Sequence, residues 1–142
     1  MVLFDLVMSK AELIVELKSK IKTTTIKDIT AARVRLEYNA EGEVKGSFNA
    51  AHIETISLLA KPDGTIEWES KIIEMTKDGD MVIAVAKGTG RQESAYLRRF
   101  EGDVTFQTSS KKLQWLNTTK GWIEGTNIVS TGETTAKVYA KK

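Results

Sequence analysis

Cysteine is absent from the sequence, which rules out disulfide bonds, thiolate catalysis and metal sites built on cysteine ligands. Histidine and proline occur once each, as His52 and Pro62. A single histidine leaves too few nitrogen ligands for a dedicated zinc site, and the acidic pairs lack the spacing of a calcium loop. We therefore predict neither a metal nor another cofactor.

Long runs of like charge and long apolar runs are also missing. The formal net charge is +2, and no basic cluster is interleaved with aromatic residues, so we predict no nucleic-acid partner. The apolar opening, residues 1–8, is too short to span a bilayer and lacks the basic start and cleavage pattern of a signal peptide. We expect a cytoplasmic protein with no membrane partner.

The sequence does contain a regular alternation of apolar and polar residues, which is typical of strands with one buried face. It is clearest around Gly102–Gly125, which reads as a hairpin with a polar turn at residues 109–112. On the return strand, Leu113 and Trp115 are expected on the inward face. The inward positions predicted for the first strand of this hairpin are Phe100, Gly102, Val104 and Phe106.

The same alternation recurs along the chain and predicts about eight strands. The opening of the first strand, residues 10–20, also fits a helix because Leu, Glu and Lys are strong helix formers. The Thr-rich run that follows favours a strand. Turns are predicted at Asn39–Gly42, Lys61–Gly64 and Lys77–Asp80, where glycine or proline supplies the backbone geometry. The predicted strands cover residues 11–23, 33–38, 46–59, 65–75, 81–87, 96–108, 113–124 and 134–140.

Consecutive strands joined by short turns run antiparallel, and about eight of them form either a closed barrel or a sandwich. We favour closure because it removes the exposed edges that long strands with one proline do little to protect. The predicted fold is all-β, a single antiparallel up-and-down barrel of about eight strands. We assign residues 1–10 to an N-terminal extension and residues 11–142 to the barrel domain.

Three features of the sequence suggest a resemblance to a known family. They are the long strands from Gly46 onward, the Pro-Asp-Gly-Thr turn at residues 62–65 and the segment Phe100-Glu-Gly-Asp-Val-Thr-Phe106. Over residues 45–140 the chain resembles the calycin-like barrels of the allene oxide cyclase and dirigent type. It is closer still to uncharacterised prokaryotic small β-barrel proteins with that fold. Because the cyclases bind long apolar carboxylic acids, the resemblance implies an apolar ligand. No catalytic motif of that family carries over.

His52 and Glu54 are the candidates for acid–base chemistry. Alternation places both on one face of a predicted strand, together with Ile56 and Leu58. If that face is the lumen, an imidazole beside a carboxylate in an apolar cavity is suited to proton transfer. A buried histidine that only hydrogen-bonds to a neighbouring strand fits the same pattern, so both interpretations stay open.

The candidate ligand-binding residues are the inward aromatic side chains and one arginine. Aromatic residues on the inner face of a barrel either fill its core or contact a ligand, since a barrel of about eight strands is just wide enough for one small molecule. The arginine shares a strand face with Phe100 and is placed to meet a ligand carboxylate at a barrel mouth. These candidates are Trp68, Arg98, Phe100, Phe106 and Trp115.

Three functional hypotheses follow from the predicted barrel. The first is a protein that binds a small, largely apolar molecule in the lumen and assembles as a homo-oligomer. The second is an isomerase or cyclase that holds an apolar substrate there, with His52 and Glu54 or Arg98 assisting. The third is a structural or oligomerisation module with a filled barrel. The size of the internal cavity separates the third hypothesis from the others.

Overall fold

The computed structural model describes residues 12–141, so the predicted N-terminal extension lies outside the described residues. Eight antiparallel strands form a closed barrel in sequential order, with the last strand paired to the first. This confirms the predicted all-β up-and-down barrel. The strands are β1 (Glu12–Thr30), β2 (Arg33–Gly46), β3 (Ala50–Ala60), β4 (Thr65–Met75), β5 (Met81–Gln92), β6 (Leu97–Thr108), β7 (Lys120–Ile128) and β8 (Glu133–Ala140).

The predicted turn at Asn39–Gly42 is wrong, because β2 continues through it to Gly46. Tyr38, Ala40 and Val44 are all buried, so the inward alternation runs on without a break. Gly42 lies opposite Ser19 of β1, where an added Cβ would overlap the backbone of that strand. This glycine therefore permits close strand approach and does not form a turn.

The predicted strand over residues 113–124 is also wrong in its first half. A 3₁₀ helix, Gln114–Thr118, precedes β7, which begins only at Lys120. Leu113 and Leu116 are buried, and residues three apart share a side of a 3₁₀ turn. Burying these leucines on one side of the turn leaves Trp115 on the other side. No helix among residues 12–141 is long and apolar enough to cross a membrane.

The two ends of the barrel differ. At the end where β6 stops and β7 starts, Phe48, Leu113 and Leu116 belong to the buried core, and we call this the plugged end. At the opposite end, Arg98 near the start of β6 contacts Tyr38 of β2, and we call this end the mouth. The lumen between the ends is lined by alternate residues of every strand, as the period of a strand requires.

Candidate functional site

A cavity of about 70 Å³ remains in the lumen between the plugged end and the mouth. Strand β4 supplies much of its wall, because Ile66, Trp68, Ser70 and Ile72 occupy alternate, buried positions. Alternation along the strand puts these four residues on the same face. Most of the lining is apolar, so the few polar atoms that reach the cavity stand out as points of recognition.

Trp68 and Phe100 form the aromatic part of the wall. Their ring centroids are 5.7 Å apart and the rings are nearly perpendicular, at 83°. The indole Nε1 of Trp68 donates a hydrogen bond of 3.1 Å to the carbonyl oxygen of Thr89. This bond satisfies the indole nitrogen and fixes the ring orientation, so Trp68 presents a rigid apolar face to the cavity.

Arg98 lies at the mouth and is held in place by two neutral side chains. Its Nη1 donates to the hydroxyl oxygen of Tyr38 at 2.8 Å, and its Nε donates to Oε1 of Gln92 at 3.0 Å. The guanidinium carbon also stands 5.7 Å from the centre of the Tyr38 ring, within range of a cation–π contact. These contacts leave further N–H groups of the guanidinium for a ligand.

Deeper in the barrel, His52 lies between two carboxylates. Its Nδ1 is 2.7 Å from Oε2 of Glu74, and its Nε2 is 2.8 Å from Oε1 of Glu54. Glu74 sits directly opposite His52 in the β3–β4 ladder, while Glu54 follows two residues later on the same face of β3. The side chains of all three residues are almost completely buried.

This cluster carries an imidazolium at neutral pH. An ionised carboxylate only accepts hydrogen bonds, so both ring nitrogens of His52 must donate to satisfy Glu54 and Glu74. Burial alone lowers the pKa of His52, but hydrogen bonds to Glu54 and Glu74, together with their negative charges, outweigh it and raise the pKa to about 9. Both ring nitrogens of His52 are therefore occupied. Of the three residues, Glu54 is the one that lines the cavity.

Glu74 was missed when the sequence was analysed, although alternation along β4 places it on the inward face with Ile72. The other two glutamates of β4, Glu67 and Glu69, lie on its exposed outer face. Alternation within one strand does not predict how β3 pairs with β4. That pairing brings Glu74 next to His52, although the two residues are 22 positions apart in the sequence.

Two buried polar atoms near the cavity have no hydrogen-bond partner among the described residues: Oγ of Ser70 and Oδ1 of Asn127. The amide nitrogen of Asn127 donates to Oγ1 of Thr134 at 2.9 Å, which leaves its oxygen as the unpaired atom. Both residues line the cavity. Since an unpaired buried polar group is costly, these atoms are positions where a ligand or water gains a hydrogen bond.

The structure separates the predicted ligand-binding residues into those around the cavity and those elsewhere. Trp68, Arg98 and Phe100 line the cavity. Phe106 faces inward nearer the plugged end, where it packs against the core and Gly121. The prediction that Trp115 lies on the lumen face is wrong. It is 39% exposed on the 3₁₀ helix and borders a shallow outer groove at the plugged end.

That outer groove is larger than the lumen cavity but is a weaker candidate site. Its lining is much more polar than that of the lumen cavity, and its rim includes Lys112, which is paired with Asp78 at 2.8 Å. A largely apolar cavity with a few convergent polar atoms is the more typical ligand site. Within residues 12–141, no group of three or more His, Asp or Glu side chains is arranged to hold a metal ion.

Comparison with known proteins agrees with the fold. No family model and no curated protein matches the sequence. The structure is similar to a protein of unknown function from Clostridium acetobutylicum, with a TM-score of 0.82, 17% identity and coverage of 94% of this chain and 99% of the other. It is also similar to a β-barrel-like protein from Acinetobacter baumannii, with a TM-score of 0.81, 16% identity and coverage of 94% and 96%.

A third match is an enzyme from Penicillium herquei, with a TM-score of 0.69, 20% identity and coverage of 92% of this chain and 93% of the other. At these identities the matches show the fold alone. The fold is therefore shared with a β-barrel-like protein and with proteins described as having unknown function. The finer resemblance to allene oxide cyclase and dirigent barrels stays a prediction.

Proposed function

We propose that the protein binds a small, largely apolar molecule in the lumen of the barrel. The observation that carries this proposal is the cavity of about 70 Å³, which is lined by aromatic and aliphatic side chains and by two buried polar atoms with no partner among residues 12–141. Barrel interiors otherwise pack to a high density, with few voids larger than a water molecule. An unfilled lumen with fixed aromatic walls and unmet hydrogen bonds is therefore better suited to a ligand than to a structural core.

The size of the cavity limits the ligand. Pockets for drug-sized molecules measure roughly 300–1,000 Å³, and a cavity of about 150 Å³ accommodates benzene. At about 70 Å³ the lumen suits a molecule of only a few non-hydrogen atoms, unless the mouth opens around Tyr38 and Arg98. The long carboxylic acids implied by the cyclase resemblance are too large for a cavity of this volume, so we propose a shorter ligand.

The isomerase or cyclase hypothesis remains the second candidate, and one observation favours it. Glu54 lines the cavity with its carboxylate held by the protonated His52, which is the geometry of a positioned base. In such an enzyme Glu54 would contact the substrate and His52 would position Glu54. The sequence-based assignment of His52 as the acting group has less support, because Glu54 and Glu74 occupy both its nitrogens.

We also propose that the chain forms a homo-oligomer through the outer face of β3–β5. In one cross-strand row, Ile53 lies opposite Ile73, which lies opposite Ile83, and these side chains are 53%, 38% and 43% exposed. A contiguous exposed apolar surface is typical of a protein interface. Sedimentation velocity should show an oligomer that Ile73→Lys dissociates, and a wild-type protein that sediments as a monomer contradicts this proposal.

The lumen proposal is tested with the full chain and a neutral probe, 1-butanol. Replacing Trp115 and Trp122 with Phe leaves Trp68 in the cavity wall as the one remaining tryptophan. We expect 1-butanol to change the Trp68 fluorescence in a saturable manner. Native mass spectrometry of the purified protein adds a second readout, because a carried ligand appears as excess mass that is lost on denaturation.

A cavity-filling variant is the control. Ser70→Leu places a larger apolar side chain in the cavity and removes the unpaired hydroxyl, so it should fold and lose the saturable response. Circular dichroism and thermal unfolding check that this variant keeps the barrel. A fluorescence change that rises linearly with 1-butanol, or one that persists unchanged in Ser70→Leu, overturns the proposal.

A further inference from the structure

The inner part of the cavity contains two polar groups that complement each other. Ser70 is buried and its Oγ has no partner among residues 12–141. Glu54 uses Oε1 to accept from His52, which leaves Oε2 as the oxygen able to accept a further donor. The inner part of the cavity therefore offers one hydroxyl that can donate or accept and one carboxylate oxygen that only accepts.

The strand register places these groups within reach of one ligand atom. Ser70 of β4 lies opposite Ile56 of β3, and Glu54 is the next inward residue along β3. Diagonal neighbours of this kind have Cβ atoms about 7 Å apart, which leaves room for one oxygen atom between their polar ends. Both side chains line the same cavity.

We propose, on the basis of the lumen binding proposed above, that the ligand carries a hydroxyl group bound between Glu54 and Ser70. The ligand hydroxyl donates a hydrogen bond to Oε2 of Glu54 and accepts a hydrogen bond from the Ser70 hydroxyl. A hydroxyl is the smallest neutral group that meets both requirements with one atom. The ligand class is therefore a small aliphatic alcohol whose carbon chain points along Trp68 toward the mouth.

Charged head groups fit the same position less well. A carboxylate would face the Glu54 carboxylate and could not donate to it, so like charges would repel. An ammonium group would donate to Glu54, but burying a charge costs far more than burying a hydroxyl, and the neighbouring His52 imidazolium already partly neutralises this carboxylate. The neutral donor is therefore favoured over both ions.

The test compares isomers that differ in their ability to donate. 1-Butanol and methyl propyl ether have the same atoms, but the ether has no O–H group. Binding is measured by Trp68 fluorescence in the chain with Trp115→Phe and Trp122→Phe. We expect the alcohol to bind about tenfold or more tightly than the ether, which is the factor that a hydrogen bond to a charged acceptor contributes.

Two variants separate the role of Glu54, which the alcohol alone can satisfy, from that of Ser70, which can donate to either probe. In Glu54→Gln the amide oxygen accepts from His52 and the amide nitrogen points into the cavity as a donor, so the ether should bind about as well as the alcohol. Ser70→Ala should weaken both probes, because the oxygen of the alcohol and that of the ether can each accept from the Ser70 hydroxyl, and it should leave the preference for the alcohol in place. Glu69→Gln changes an exposed carboxylate on the outer face of β4, so it should keep the wild-type preference.

The possible outcomes distinguish failure of this inference from failure of the proposed function. Equal saturable binding of alcohol and ether by the wild-type residues overturns the hydroxyl assignment and leaves lumen binding in place. Tighter binding of n-butylammonium than of 1-butanol also overturns the assignment, in favour of a cation. Failure of every probe to bind saturably overturns both proposals.

Discussion

His52→Ala is expected to destabilise the protein by about 3–5 kcal/mol, the cost of removing one partner from a buried ionic cluster. The substitution takes the only cation from between Glu54 and Glu74, which lie 2.8 and 2.7 Å from its ring nitrogens. Two carboxylates are then left close together in a largely apolar lumen. Urea denaturation followed by tryptophan fluorescence measures the loss in the free energy of unfolding.

Glu54→Gln is the matched control for that experiment. It keeps the size of the side chain and leaves His52 and Glu74 as an ion pair with no net charge. The free energy of unfolding should therefore fall by only about 1 kcal/mol, the contribution of one hydrogen bond. Replacing His52, Glu54 and Glu74 together with leucine removes every charge at once and should recover much of the lost stability. A His52→Ala protein as stable as the wild type would show that no buried charge is held here.

This expected loss also changes how His52→Ala can be used. If His52 only lined the lumen, its removal would leave a binding protein little changed and would deprive an enzyme of turnover. Because His52 holds two buried carboxylates, the variant weakens the fold in either case. Glu54→Gln distinguishes the hypotheses better, since it alters the cavity-lining group and retains the pair beneath it.

Stability is expected to fall by about 3 kcal/mol as the pH rises from 6.5 to above 9, because the pKa of His52 is raised from 6.5 to about 9 on folding. The folded state binds this proton more tightly than the unfolded state does. Its contribution is therefore complete below pH 6.5 and is lost as the pH rises through about 9. Urea midpoints below pH 6.5 and above pH 9 measure the difference.

The His52→Gln variant is the control for this pH dependence. Its side chain does not titrate, so its stability should change far less over the same interval. If wild type and His52→Gln lose the same stability on the alkaline side, other groups are responsible and the imidazolium assignment is wrong.

Much of the barrel was predictable because the alternation of apolar and polar residues is local. Ile66, Trp68 and Ile72 alternate with charged residues along β4, and the structure buries all three. Gly88 and Gly102 lie opposite each other in β5 and β6, where an added Cβ on either would overlap the facing strand. An added Cβ at Gly102 would come within 2.8 Å of the Trp68 ring, so these glycines also make room for the wall of the cavity.

The errors arose where local pattern and tertiary packing disagree. Asn39–Gly42 has the composition of a turn, but the neighbouring strand β1 extends to Thr30 and pairs with β2 throughout its length. Trp115 follows the alternation of its neighbours, but residues 114–118 form a 3₁₀ helix that closes the plugged end. Neither outcome is encoded in the period of the segment itself.

The sequence by itself determined the class of fold and the inward face of most strands, because a strand exposes alternate residues to alternate sides. It also identified His52, Glu54, Trp68, Arg98 and Phe100, whose side chains line the lumen or lie within it. Only the tertiary structure decided that Glu74 meets His52, that Ser70 faces the cavity unpaired and that about 70 Å³ remains unfilled. These features depend on strand register and on how side chains from different strands fill a shared volume, and neither is a property of any one segment.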